Sequence, residues 1–180
     1  MKNTKQKYGW VAILLHWISV IAVISIFLLG YWMVDLTYYD SWYKTGPALH
    51  KSIGVTFLVL MILRVIWRTS QIQPKSLESH TPFEQRVGHI MHMALYLLIF
   101  FIMMSGYLIS TADGRGIEVF QFFEIPSLGA FIENQEDIAG LMHQYAGYTL
   151  IFMVILHAGA ALKHHFIDKD KTLTRMLGLK

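Results

Sequence analysis

The chain has 180 residues, 54% of them hydrophobic and only 15% charged, with a formal net charge of +3 and no cysteine. That is too apolar for a soluble domain of this length. The missing cysteine excludes disulfides, thiolate metal ligands, cysteine-held iron–sulfur clusters and covalent haem attachment through C-x-x-C-H.

Four apolar stretches reach the length needed to cross a bilayer. In chain order they run near Trp10–Met33, Leu49–Trp67, Val87–Ser110 and Gly140–His164. The reading is an all-α membrane protein, a bundle of four transmembrane helices forming a single domain over residues 1–180. No internal repeat or low-complexity segment interrupts it. The first stretch superficially resembles a signal peptide. Its apolar run is too long for one, no small-residue cleavage site follows it, and removal would discard His16, so it reads as a retained helix.

Lys and Arg set the orientation. Lys2, Lys5 and Lys7 precede the first stretch. Arg64, Arg68, Lys75 and Arg86 surround the second connection, and Lys163, Lys169, Lys171, Arg175 and Lys180 end the chain. These twelve fall on one side, against Lys44, Lys51 and Arg115 on the other, which predicts that both termini are cytoplasmic. The opposite side is acidic, with Asp35, Asp40, Asp113, Glu118, Glu124, Glu133, Glu136 and Asp137. The net +3 is therefore the sum of two opposed faces. It reflects topology and does not point to nucleic acid.

Histidine carries the chemistry. His143 and His157 lie fourteen residues apart in the last stretch, close to four helical turns, so both rings share one face with ~21 Å between them. By depth, His50 at the outer start of the second helix matches His143, and His16 in the inner half of the first matches His157. Ionisable residues inside a membrane are expensive and usually functional. A single boundary histidine is as readily an interfacial residue, but four at two matched depths describe two bis-imidazole sites, each able to clamp a non-covalent b haem. Such ligation leaves no open iron position and suits electron transfer. Gly54 and Gly147 each follow a ligand candidate by four residues, where a porphyrin needs room, although small residues also ease helix packing in membranes.

The remaining histidines are less defined. His80 reads as solvated in a polar loop. His89 and His92 are rival ligands for the inner haem or partners of propionates or quinone. His164 and His165 end the fourth stretch, where a helix dipole favours them. His164, two turns beyond His157 on the same face, is a candidate quinone ligand.

The pieces L-L-H-W around His16, L-H-K-S-I-G around His50, R-V-G-H around His89, M-H-Q-Y-A-G around His143, L-H-A-G-A-A-L-K-H-H-F around His157, and K-D-K-T-L-x-R-M in the tail resemble the bacterial cytochrome b561 family, small dihaem proteins that include superoxide oxidase. The resemblance covers nearly the whole chain. It implies a four-helix bundle in the bacterial inner membrane holding two b haems, ligated by His16 with His157 and by His50 with His143. It also implies a ubiquinone site near the inner haem, with His164 in a position associated with quinone.

One feature departs from a superoxide-collecting enzyme. An anionic substrate benefits from a positive field, yet the connection from Thr111 to Ala139 carries six acids against Arg115 alone. Three readings follow. The chain is a quinone-linked oxidoreductase with an extracytoplasmic donor, superoxide being the candidate. Alternatively it is a cytochrome b anchor whose acidic loop docks an extracytoplasmic redox protein. The third reading is a haem-free transporter whose histidines relay protons or bind metal.

Overall fold

The structure, a computed structural model, describes residues 2–179. Four long helices dominate: α1 (Trp10–Met33), α2 (Thr45–Ser70), α3 (Pro82–Ser110) and α4 (Gln135–Phe166). All four are long and apolar enough to cross a membrane. Between α3 and α4 lies a two-stranded antiparallel hairpin, β1 (Ile117–Val119) and β2 (Phe123–Ile125), in which Glu118 faces Glu124. A short helix α5 (Thr172–Met176) closes the chain.

The helices α2, α3 and α4 overrun the apolar stretches seen in the sequence. α4 has 32 residues, or ~48 Å of helix, against a hydrocarbon core of ~30 Å. Its ends therefore emerge among headgroups, and local chemistry sets where they stop. Thr81 caps α3 in a capping box: its hydroxyl accepts the Glu84 N–H, the Glu84 carboxylate accepts the Thr81 N–H, and Pro82 takes the first helical position. Glu136 and Asp137 occupy the first turn of α4, and Lys163, His164 and His165 the last, each in the sense the helix dipole favours.

α1 packs mainly on α2 and α3 mainly on α4, giving two helical hairpins side by side. Val23, Phe57, Met61, Ile99 and Leu150 meet at the centre and draw on all four helices. Most other large apolar side chains, such as Ile21, Leu28, Leu63, Leu97, Phe152 and Ile155, are exposed and form the surface expected to face lipid.

The cationic segments gather at one end of the bundle. Lys75 N–H bonds the Lys5 carbonyl, the Arg175 guanidinium bonds the carbonyls of Gln6 and Lys75, and Trp17 Nε1 bonds the Met176 carbonyl at 2.9 Å. Lys180 lies outside the described residues. At the opposite end the hairpin folds over α2. Ser52, itself 3% exposed, accepts the Phe120 N–H at 3.0 Å, and Ile117 and Val119 of β1 are buried on the side packed against α2.

Candidate functional site

Each matched pair of histidines is brought face to face. At the acidic end, His50 on α2 and His143 on α4 lie with ring centroids 6.1 Å apart and planes at 74°. At the cationic end, His16 on α1 and His157 on α4 are 6.4 Å apart at 67°. Leu150, midway between His143 and His157 on α4, belongs to the central apolar cluster, as does Phe57, two turns beyond His50. An apolar layer thus separates the two imidazole layers.

The spacing has a chemical reading. A metal–imidazole bond is ~2 Å long, and the ring centre lies ~1 Å further, so one ion clamped between two imidazoles holds their centroids ~6 Å apart. Both pairs stand at that distance. The cavity beside the His50–His143 pair has a volume of about 360 Å³ and is lined by apolar groups, among them Phe27, Phe57, Ile99 and Tyr148, together with Gly30 and Gly147.

Glycine makes room for the His50–His143 pair, but from two other helices, α1 and α3. A Cβ on Gly30 of α1 would stand 2.9 Å from Cε1 of His50, and one on Gly106 of α3 would stand 3.1 Å from Cε1 of His143. Each ring leans on bare backbone of a neighbouring helix. Gly54 has open space where a side chain would be, as has Gly147, which lines the cavity. Gly30 and Gly106 lie far from the histidines in sequence, so no spacing rule could reveal them.

The ring nitrogens fit ligation unequally. His143 Nδ1 lies 3.0 Å from the Ile102 carbonyl and 3.2 Å from Ser105 Oγ. A carbonyl only accepts, so the proton sits on Nδ1 and the Nε2 lone pair is free for a metal. His50 Nδ1 is buried without a hydrogen-bond partner among the described residues. At the His16–His157 pair, Arg64 donates from Nη2 to His16 Nδ1 at 3.1 Å. Ligation through Nε2 of His16 therefore calls for Arg64 to release Nδ1 to another acceptor. Arg64 and Arg68 both stand over the Tyr96 ring, at 5.6 and 6.0 Å.

His157 has a second neighbour, His92, at 5.2 Å between centroids. That is shorter than a shared metal would impose, whereas His16 stands at the bridging distance. His89 is exposed on α3.

Residues 7–179 match the family model described as prokaryotic cytochrome b561. The chain belongs to the cytochrome b561 family. It is 47% identical over 176 residues to "Cytochrome b561 homolog 2" of Escherichia coli (strain K12), covering 98% of this chain and 94% of that protein. It is 29% identical over 179 residues to "Probable superoxide oxidase CybB" of Yersinia pestis, covering 97% and 98%. "Cytochrome b561 homolog 1" of Escherichia coli (strain K12) is 25% identical over 182 residues. This cytochrome b561 is thus a membrane electron-transfer protein of a family that binds b-type haem.

In this cytochrome, His164 sits at the cationic end with its side chain 13% exposed and Nδ1 2.7 Å from Asp168 Oδ2. His80 is not solvated as the sequence suggests. Its Nε2 bonds Asp170 Oδ2 at 2.9 Å and Thr172 Oγ1 at 3.0 Å, and its ring lies 4.4 Å from that of His164. Asp170 is ninety residues away along the chain, beyond the reach of local pattern. His165 packs edge-on against Phe166.

Proposed function

We propose that this cytochrome b561 carries two b haems and passes electrons across the bacterial inner membrane between an extracytoplasmic donor and the ubiquinone pool. His50 with His143 would hold the outer haem, and His16 with His157 the inner. The carrying observation is the pair of imidazole gaps, 6.1 and 6.4 Å, set ~21 Å apart along α4. When bound, the haems would supply reversible one-electron chemistry.

The protein's own groups do the rest. His143 is held in the ligating tautomer by the Ile102 carbonyl. The apolar layer at Phe57 and Leu150 keeps water out of the space between the sites. Arg64, the guanidinium nearest His16, is placed to pair with a haem carboxylate once Nδ1 of His16 is released. His164 would hydrogen-bond a quinone carbonyl at the cytoplasmic end. Both termini would then be cytoplasmic, as the lysine and arginine distribution favours.

The donor is the open part of the reading. A relative named as a probable superoxide oxidase supports superoxide. The acidic groove formed by Asp113, Glu133, Glu136 and Asp137 at the outer end supports a basic redox protein instead.

The test uses haem-loaded protein in vesicles with ferricyanide trapped inside and superoxide or a membrane-impermeant reductant supplied outside. Electrons should cross only with intact protein, and His50→Ala should abolish crossing. In detergent, His164→Ala should keep both haems and slow quinone reduction about tenfold or more. Crossing at the rate of empty vesicles would refute electron transfer through the bundle. Unchanged quinone kinetics would show His164 to be merely interfacial.

A further inference from the structure

The cationic end holds a second cluster of ligating groups, separate from the imidazole gaps. His80 Nε2, His164 Nδ1 and Asp170 Oδ2 converge from three segments: the turn before α3, the last turn of α4, and the α4–α5 connection. His80 Nε2 is 2.9 Å from Asp170 Oδ2, and His164 Nδ1 is 3.5 Å from the same oxygen. All three ligand atoms lie within 4.8 Å of one another. The side chains are shielded, with exposures of 17%, 13% and 6% for His80, His164 and Asp170.

We propose that His80, His164 and Asp170 form a binding site for a divalent transition-metal ion, zinc being the best fit. Zinc takes imidazole nitrogen and carboxylate oxygen at ~2.0–2.2 Å in a tetrahedron, which sets donor atoms ~3.3 Å apart. The separations of 2.9 and 3.5 Å bracket that value. The donor set is borderline in softness, which suits zinc over calcium or magnesium.

Three further observations support the site. His164 Nδ1 is buried without an aligned hydrogen bond, although Asp168 Oδ2 stands 2.7 Å away. A nitrogen held among carboxylate oxygens without an aligned hydrogen bond can turn its lone pair to a cation that those oxygens share. Secondly, the carboxylate is already braced: the Thr172 N–H donates to Asp170 Oδ1 at 2.8 Å, and the Ser79 hydroxyl donates to Oδ2. Such outer contacts fix ligating carboxylates in metal sites. Thirdly, Lys163 bonds both Glu84, at 2.9 Å, and Asp168, at 2.7 Å, and so engages those two acids. Asp170 has no lysine or arginine partner among the described residues, and its charge is available to a metal. A water would complete the tetrahedron.

The site stands on its own geometry and does not rest on the quinone reading, although His164 serves both. Haem-loaded protein in detergent is equilibrated with buffered zinc, and bound zinc is counted per chain by elemental analysis. The wild type should bind one tight zinc. His80→Asn, which keeps a hydrogen-bond donor toward Asp170 but is a poor ligand, should weaken binding at least tenfold with haem spectra unchanged, as should Asp170→Asn. X-ray absorption at the zinc edge of the wild type, which needs no variant to fold, should show two imidazoles in the first shell. Absence of tight zinc, equal zinc in wild type and variants, or a shell without histidine would each overturn the proposal. Because the readout is bound zinc, its failure leaves the quinone reading of His164 untouched.

Discussion

At Gly30 one methyl group decides whether His50 keeps its place. A Cβ there would come within 2.9 Å of the ring, closer than nonbonded carbons tolerate, and overpacking of this kind costs ~1–3 kcal/mol. Gly30→Ala should therefore displace His50 and deplete the outer haem while the inner haem remains. Haem spectra of the purified variant check this, and undiminished haem content would show that the ring moves freely. Gly106→Ala, at 3.1 Å from His143, should act in the same direction but more weakly. Asp40 offers a residue-level test by pH. The Thr37 side-chain and backbone hydrogen bonds hold its carboxyl below the ordinary value of 3.8. A depressed carboxylate stabilises the folded turn above that ordinary pKa, and the contribution is lost as pH falls through the folded value. Asp40→Asn should lower thermal stability at neutral pH, and the difference from wild type should begin to shrink as pH falls below 3.8. A difference that stays the same as pH falls below 3.8 would show that charge is not the cause.

Among the elements, α3 shows how far a helix can extend beyond its apolar run. The sequence reading begins it at Val87, because hydrophobicity was the signal used, but the helix starts at Pro82 under the Thr81 capping box. T-P-F-E is a legible cap, but it lies outside the apolar run and so is invisible to a reading by spanning length. Thr81→Ala should lower stability by about 1 kcal/mol, seen as a fall in the melting temperature of the detergent-solubilised holoprotein, with the haem spectrum unchanged. No fall would mean that Glu84 holds the helix start through Lys163 alone. The hairpin Ile117–Ile125 was not legible at all. Three-residue strands give too little alternation to register, and their anchor, Ser52, lies on another helix. α5 escaped for the same reason: five residues carry no periodicity, and its placement depends on Trp17, far along the chain.

Over the whole molecule, the four spans and the convergence of His16 with His157 and of His50 with His143 were legible, because a membrane helix converts residue count directly into depth. Lateral relations were not legible. Which helix backs each ring, and the closeness of His92 to His157, of Arg64 to His16 and of His80 to His164, depend on rotation and packing that depth does not encode. The central claim is that each histidine pair holds one haem, and counting haem per chain tests it most directly. Wild-type protein should contain two non-covalent b haems. His50→Ala, His143→Ala and the double variant should each contain one, because both residues serve the same haem. One haem in the wild type, or a double variant that loses more than either single variant, would contradict the pairing.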